Sequence, residues 1–134
     1  MIDFFVPGDP APQGSKNAYA RGGRIVLVEA SKRIGPWRTS ITAAARSARE
    51  AIDGPTSVTL DFTLARPKTS TRTHPTTKPD VDKLARAVLD GITDARMWKD
   101  DSQVCHLTAT KSYGPLPGVR VRLACHPAAG PVTT

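Results

Sequence analysis

Acidic side chains are concentrated in one stretch of an otherwise basic chain. The 134 residues carry 19 Lys and Arg against 12 Asp and Glu, a formal net charge of +7, yet six of the twelve acids lie between Asp80 and Asp101. Neighbouring carboxylates repel one another, so crowding them raises a pKa or requires a counter-ion. Mg²⁺ typically takes one or two carboxylates and completes its shell with water and phosphate oxygens. Residues 78–104 therefore predict a divalent metal site.

A helix must position the first of these acids. Pro79 suits a helix start because its fixed φ and missing N–H cost nothing there, and the residues that follow repeat with helical spacing. We predict a helix over residues 80–96, in which Asp80, Asp82 and Arg86 can face one place because residues four apart are neighbours. Its apolar stripe consists of Val81, Leu84, Ala85, Val88, Leu89 and Ile92.

A second acidic pair, Asp100 and Asp101, follows this helix and precedes a strand predicted over residues 102–112. A purely structural explanation is available: Asp80 caps the helix, Asp82 complements its dipole, and the second pair forms a turn. Capping needs only one carboxylate, however. The pattern D-x-D, a cation one turn later, and then W-x-D-D-x-Q-V therefore favours a shared cation.

These motifs resemble those of RusA-type Holliday junction resolvases, a family common in bacteria and their phages. The resemblance rests on K-P-D-V-D-K-L at 78–84, R-A-V-L-D at 86–90 and W-K-D-D-S-Q-V at 98–104. The proline-rich segment 7–17 is also similar to the start of family members. The resemblance implies an α+β fold, a homodimer and cleavage of four-way DNA junctions.

The resemblance also implies residue roles. Metal-binding aspartates of the family correspond to Asp80, Asp82 and Asp101, and a lysine important for cleavage corresponds to Arg86. That departure keeps the charge, but the rigid fork and high pKa of arginine suit a phosphate clamp and not proton transfer. The asparagine common after the second aspartate is replaced by Lys83, to which the lysine's role could have passed.

From these residues we expect one or two Mg²⁺ ions, with Mn²⁺ as a substitute, bound by Asp80, Asp82 and Asp101. Metal ions of this kind polarise a scissile phosphate and lower the pKa of bound water. Arg86 or Lys83 would neutralise charge on the phosphate. We further expect Asp100 to orient one of the metal ligands without binding the ion itself. We expect Asp90 to tether Arg86, four residues before it on the helix.

Length and composition predict one domain over residues 1–126 and a disordered tail over 127–134. The sequence has no apolar run near 18 residues and no leader-like start, so we expect neither a membrane span nor a secretory signal. The expected location is the cytoplasm of a bacterium or a phage-infected host cell. A pI near 9.9 indicates a polyanionic partner, of which nucleic acid is the commonest.

The element order predicts an α+β domain in which one mixed or antiparallel sheet carries two helices on a face. Predicted strands cover 2–6, 24–29, 57–64, 102–112 and 119–125, with helices at 80–96 and from 31 to a stop at 53–55. Segment 9–23 is rich in Pro, Gly, Ser and Asn and predicts a loop. Cys105 and Cys125 lie in predicted strands, where we expect buried thiols, with a disulfide between them as the alternative.

The acid-free segment 65–78 carries four basic residues and no pattern of its own. We interpret it as a basic flap that orders on DNA phosphates, with a plain disordered loop as the alternative. The candidate DNA-contacting residues are Lys16, Arg66, Lys68, Arg72 and Lys78. The basic side of the first helix could likewise face DNA or solvent.

The leading hypothesis is a Mg²⁺-dependent, structure-selective DNA endonuclease acting on four-way or other branched DNA. The alternative is a basic nucleic-acid-binding module whose acids are structural. Aspartyl-phosphate phosphotransferases also use D-x-D, but directly after an apolar strand, whereas Asp80 follows Thr-Thr-Lys-Pro at 76–79. Replacing Asp82 with Asn separates the first two hypotheses, because it should abolish cutting and preserve junction binding.

Overall fold

A computed structural model of the chain describes residues 1–13, 16–21, 24–29 and 33–127, with the backbone alone for 16–21 and 24–29. The described elements follow in the order β1 (Ile2–Pro7), β2 (Lys16–Arg21), β3 (Arg24–Glu29), α1 (Ile34–Ser47), β4 (Thr56–Leu64), α2 (Val81–Asp94), a 3₁₀ helix (Asp101–Gln103), β5 (Val104–Tyr113) and β6 (Gly118–Cys125). The predicted α+β class, with two helices and a mixed sheet, is confirmed.

The main sheet has the strand order β1-β6-β4-β5. β6 pairs antiparallel with both of its neighbours, whereas β4 and β5 run parallel. Parallel neighbours need a long crossover connection, and here the crossover contains the flap segment 65–78, α2 and the 3₁₀ helix. The connection therefore carries every acid that the sequence singled out.

One face of the sheet packs against the helices. Alternate residues of β4 are buried, and Leu60 and Phe62 lie in one core cluster with Ile41 of α1 and Leu84 of α2. A strand with one buried face alternates in this way because successive side chains point to opposite sides. The site-bearing helix α2 is thus fixed by its apolar stripe against the sheet and α1.

The face of the sheet that lacks helices is polar, and its arginines are paired. Arg122 donates to Asp61 at 2.6 Å, and Arg120 donates to both carboxylate oxygens of Asp3 at 2.8 and 3.2 Å. The hydrogen bond with Arg120 is the largest cause of a lowered Asp3 pKa. The charge of the two arginines on β6 is therefore balanced locally by neighbouring strands.

The two helices approach closely at Gly91 of α2. A Cβ atom at this position would lie 2.7 Å from Cγ2 and 3.0 Å from Cβ of Ile41. The hydroxyl of Thr42 donates to the carbonyl of Gly91 at 3.1 Å, and Arg38 donates to Asp94 through two hydrogen bonds of 2.6 and 3.1 Å. Glycine is a poor helix former, and here the contact with α1 explains its presence.

The prediction of a loop over 9–23 was wrong, because Lys16–Arg21 is a strand that pairs antiparallel with β3. Its sequence, Lys-Asn-Ala-Tyr-Ala-Arg, lacks an alternating apolar pattern. Strand formation here depends on pairing with a neighbouring strand more than on the intrinsic propensity of the residues. Four parts of the predictions lie outside the described residues: the side chain of Lys16, residues 22–23 of the predicted loop, the predicted helix start at 31–32 and residues 128–134 of the tail.

Two predicted boundaries also needed correction. Helix α1 ends at Ser47 and not near 53, because Arg49 adopts a positive φ of 52° and the N–H of Ile52 donates to the carbonyl of Met97. Strand β5 begins at Val104, since Gln103 belongs to the 3₁₀ helix. Both departures come from contacts between segments that are distant in sequence.

The expectation of buried thiols was wrong as well. Cys105 and Cys125 are both free and exposed. Cys105 lies on β5, an edge strand of the sheet, and Cys125 is the last residue of β6, so neither position is covered by the helices. Among the described helices, none is both long and apolar enough to cross a membrane.

Candidate active site

The N-terminal end of α2 presents two carboxylates. Asp80 is the N-cap residue, with extended backbone angles, yet its side chain makes no capping hydrogen bond, and Asp82 lies in the first turn. Both residues are exposed, and Asp80 forms an ion pair with Lys83 across 3.8 Å. Helix capping therefore does not account for the carboxylate of Asp80, whose oxygens are available to a ligand.

The same helix end supplies a positive electrostatic environment. The unpaired N–H groups of a first helical turn and the helix macrodipole both attract anions. Two contacts hold this end in place: the N–H of Gln13 donates to the carbonyl of Lys83 at 3.0 Å, and Nζ of Lys111 donates to the carbonyls of Thr77 and Pro79 at 2.8 Å each. The N-terminal end of α2, which carries Asp80 and Asp82, is therefore held in place by hydrogen bonds from other parts of the fold.

Arg86 and Asp90 continue along α2 at intervals of four residues after Asp82. Arg86 is exposed, and within the described residues it makes no ion pair with Asp90, which instead lies 4.0 Å from Arg38. The tether predicted between Arg86 and Asp90 is therefore not formed. Burial is the main cause of a raised Asp90 pKa, Arg38 and Arg86 oppose it, and the charge of Asp101 adds to it.

Asp101 begins the 3₁₀ helix, and its neighbours fix that turn. The N–H of Ser102 donates to the carboxylate of Asp100 at 3.3 Å, and hydrogen bonds with Ser102 lower the pKa of Asp100. Asp100 therefore caps the turn that carries Asp101. Whether it also orients a bound ligand stays a prediction.

Gln103 was not assigned a role from the sequence, although it belongs to the motif D-D-x-Q-V. Its Nε2 lies within 3.0–3.1 Å of the carbonyl oxygens of Ile52 and Gly54 and the hydroxyl of Thr56, and its Oε1 accepts from the N–H of Lys99 at 3.2 Å. Gln103 therefore anchors the Asp101 turn to the beginning of β4. The sequence feature that could have indicated this role is the glutamine two residues after the second aspartate in the motif D-D-x-Q-V.

The structure brings Asp80 and Asp82 together but places Asp101 elsewhere. The Asp101 turn is anchored beside Thr56, where β4 begins, whereas Asp80 lies at the end of the flap that follows Leu64, where β4 ends. The 3₁₀ helix contacts α2, and the charge of Asp101 acts on Asp90, two helical turns beyond Asp82, so Asp101 lies beside the C-terminal half of α2. Accordingly, no group of three or more His, Cys, Asp or Glu side chains in the described part of the chain could hold a metal ion.

The chemistry of Asp80 and Asp82 nevertheless fits Mg²⁺ or Mn²⁺. Mg²⁺ usually binds through one or two carboxylates and takes its remaining ligands from water and substrate phosphates, not from a closed protein cage. Two exposed carboxylates that are not used for capping, next to an anion-attracting helix end, supply that partial donor set. For Asp101 to bind the same ion as Asp80 and Asp82, a structural element beyond those of the single chain is needed.

The flap, residues 65–78, contains no helix or strand. The guanidinium group of Arg66 lies 5.2 Å from the ring centre of Tyr113, a cation–π contact, while Lys68, Arg72 and Lys78 are exposed. Three of the predicted DNA-contacting side chains are therefore exposed, and Lys78 directly precedes the entrance to α2. The contacts with DNA themselves stay a prediction.

The α+β domain has two acids at the entrance to α2, and the motif D-D-x-Q-V follows that helix, as in the family that the sequence resembles. Comparison with known families agrees, since the family described as endodeoxyribonuclease RusA matches residues 7–124. The chain is also 29% identical over 135 residues to the uncharacterized protein YqaN of Bacillus subtilis (strain 168), covering 91% of this chain and 94% of that protein. The chain belongs to the RusA endodeoxyribonuclease family.

Membership of this family supports nuclease activity and the resolution of Holliday junctions in general. It agrees with the resemblance drawn from residues 78–104, which lie within the matched range. The name of the similar Bacillus protein describes no activity, so no activity follows from that similarity.

Proposed function

We propose that the chain is a Mg²⁺-dependent endonuclease that resolves four-way DNA junctions by paired phosphodiester hydrolysis during recombination and repair. The observation that carries this proposal is the pair Asp80 and Asp82, whose exposed carboxylates stand at the N-terminal end of α2 without serving as helix caps. Mn²⁺ substitutes for Mg²⁺ because carboxylate, carbonyl and water ligands suit both ions.

Each residue near this end has a proposed role. Asp80 and Asp82 bind the ion, which supplies Lewis-acid polarisation of the phosphate and activation of water. Arg86, two residues beyond the first acidic turn and exposed, clamps the phosphate with its planar fork and neutralises developing charge. Lys83, which already pairs with Asp80, adds a second positive charge at the same place.

A symmetric homodimer suits a four-way junction, because the junction offers two equivalent strands for cutting and a two-fold dimer presents two equivalent sites. The geometry of one chain adds a reason of its own. Since Asp80, Asp82 and Asp101 form no metal-binding group within the described part of one chain, we propose that Asp101 completes the site at Asp80 and Asp82 of a second subunit. The dimer then both doubles and completes the active site.

The exposed cations of the flap are proposed to hold the DNA backbone. Lys68, Arg72 and Lys78 lie in the segment that leads directly to Asp80, so phosphates bound by them would be delivered to the helix entrance. Lys16 is a further proposed contact. Phosphate contacts of this kind position DNA and carry no sequence information directly, which agrees with recognition of a branched shape.

The proposal is tested by incubating purified protein with synthetic four-way, three-way and linear duplex DNA, with and without Mg²⁺. We expect symmetrical paired nicks on the four-way substrate alone and only with the metal. Asp82→Asn should lower the cleavage rate by at least about 10³-fold, because the ion contributes several kcal/mol of charge stabilisation. Junction binding should stay equal or become tighter, since a negative charge near the phosphates is lost.

Glu50→Gln is the matched control, because Glu50 is an exposed acid after α1 and outside the proposed site. It should cut at the rate of the unaltered protein. If the unaltered protein never nicks a junction with Mg²⁺ or Mn²⁺ while still binding it, the endonuclease proposal fails. The chain would then be a basic nucleic-acid-binding module whose acids are structural.

A further inference from the structure

Lys111 joins the sheet to the segment that enters α2. Its ammonium group donates to the carbonyl of Thr77 and to that of Pro79, each at 2.8 Å. Lys111 is opposite Phe62 in the register of β5 with β4, and Phe62 is buried in the core, so the lysine projects from the face of the sheet that the helices cover. In the described part of the chain, these are the hydrogen bonds that join residues 77–79 to the sheet.

The two carbonyls immediately precede the proposed metal ligands. The carbonyl of Pro79 belongs to the peptide bond with Asp80, and Asp82 lies two residues later. Hydrogen bonds from an ammonium group are shorter and stronger than those between neutral groups. Two of them from one nitrogen fix both the position and the orientation of the backbone at Asp80, which a single bond would not do.

Lys111 performs this function without using the carboxylates. Within the described residues it forms no ion pair with an acid, whereas the ion pair of Asp80 is with Lys83. A lysine bonded directly to Asp80 or Asp82 would compete with a cation for their oxygens. A lysine bonded to the main chain holds these side chains ready and leaves their oxygens available.

We propose that Lys111 is a positioning residue for metal binding by Asp80 and Asp82, and this inference rests on the proposed function of that site. Lys111 acts through the backbone of residues 77–80 and does not touch the ion or the DNA. Groups behind a metal ligand that fix its orientation typically change metal affinity by about 10- to 100-fold when they are removed. Because Lys111 acts through the main chain, we expect the lower end of that range.

Three variants test the inference. Lys111→Met keeps the length of the side chain and removes its donors, Lys111→Arg restores donors, and Lys99→Met removes an equal charge from an exposed lysine. Mn²⁺ affinity of the free protein is measured by electron paramagnetic resonance, with Asp82→Asn as the reference for loss of a ligand. The Mg²⁺ concentration for half-maximal cleavage and the unfolding temperature without metal are measured in parallel.

We expect Lys111→Met to bind Mn²⁺ about tenfold more weakly and to need correspondingly more Mg²⁺ for cleavage. Lys111→Arg should recover most of the affinity, and Lys99→Met should match the unaltered protein. Equal Mn²⁺ affinity and Mg²⁺ dependence in Lys111→Met and Lys99→Met would overturn the inference, even if Lys111→Met unfolded at a lower temperature. That result would mean that the lysine is structural.

The two proposals fail in different ways. If the unaltered protein binds Mn²⁺ but cuts no junction, the proposed function fails, and the Mn²⁺ affinities still decide the role of Lys111. If the unaltered protein cuts junctions and Lys111→Met shows the same metal dependence, only the role of Lys111 fails. Should Lys111→Met not fold, weaker Mn²⁺ binding by Lys111→Gln, restored in Lys111→Arg, would support the inference, and equal binding would overturn it.

Discussion

The partial burial of Asp90 disfavours the negative charge of its carboxylate. Burial raises the pKa of its carboxyl group, and the nearby Arg38 and Arg86 offset this effect only in part. A carboxyl group whose pKa is higher in the folded than in the unfolded protein contributes stability below the unfolded pKa, and that contribution is lost as the pH rises through the folded pKa. The ionised form present at neutral pH is therefore the one that the fold tolerates less well.

We expect Asp90→Asn to raise the unfolding temperature at pH 7, because the amide has the same shape and no charge to desolvate. The advantage should disappear below about pH 3.9, where the carboxyl group is protonated in both states. Unfolding temperatures of both proteins between pH 3 and pH 8, without divalent metal, measure this effect. Asp94→Asn is the contrasting control, since it removes a carboxylate that Arg38 binds through two hydrogen bonds and should destabilise at pH 7.

A lower unfolding temperature for Asp90→Asn at pH 7 would contradict this expectation. It would mean that the ion pair with Arg38, across 4.0 Å, outweighs the cost of burial. The residue would then be a stabilising partner of α1, and its proximity to the proposed site would have no electrostatic cost.

At the scale of elements, the packing of α1 on α2 depends on the absence of a side chain at Gly91. Gly91→Ala would gain about 1 kcal/mol of helix propensity. An added Cβ would lie 2.7 Å from Cγ2 of Ile41, and the branched Cβ of Ile41, at 3.0 Å, cannot rotate away. Overpacking of this kind costs about 1–3 kcal/mol, so we expect a net loss of about 1 kcal/mol in the free energy of unfolding.

Urea denaturation of Gly91→Ala, Ile41→Ala and the double variant measures this contact. The cost of Gly91→Ala should fall or reverse when Ile41 is alanine, because residues in contact show an interaction energy in a double-mutant cycle. Additive effects of the two substitutions would contradict a direct clash. Gly35→Ala is a control in α1, where an added Cβ meets no atom within 4 Å.

Elements with a strong local pattern could be predicted from the sequence, and elements that depend on distant contacts could not. The apolar stripe of α2 and the alternation of β4 gave correct assignments because burial of one face determines both patterns. Strand β2 has no such pattern, and its existence depends on pairing with β3. The end of α1 likewise depends on the contact between Ile52 and Met97.

The same distinction applies to the site. Asp80 and Asp82 are neighbours in sequence, so local helix geometry suffices to predict that they lie together. The position of Asp101 depends on the parallel pairing of β4 with β5 and on the direction of α2 between them. No motif encodes that topology, so the sequence could suggest a shared site for the three aspartates but could not show that no three acids form a metal-binding group in the described part of a single chain.

At the scale of the whole molecule, the separation of Asp101 from Asp80 predicts that inactive variants can complement each other. Asp82→Asn and Asp101→Asn should each be inactive as pure proteins. When the two are co-expressed and form mixed dimers, one intact site per mixed dimer should return about a quarter of the sites to activity, provided that sites are shared across a two-fold axis. The readout is nicking of the four-way junction in single strands without paired cuts.

If the mixture stays inactive although mixed dimers are present, each site belongs to a single subunit and Asp101 has another role. Sedimentation velocity and differently tagged subunits establish that mixed dimers have formed. A mixture of Asp82→Asn with Glu50→Gln serves as the reference, because every mixed dimer then retains one site with unaltered aspartates. The comparison separates a shared site from simple dilution of inactive protein.

The 14 residues of α2 span roughly 21 Å. The helix sets the distance between Asp80 at its N-terminal end and the turn that follows its C-terminal end. One additional residue would rotate the N-terminal end of α2 by about 100° relative to its C-terminal end. One additional turn would lengthen the helix by about 5 Å. The flap before α2 contains no helix or strand, so insertions between Arg66 and Thr77 should be tolerated more readily than insertions in the helix.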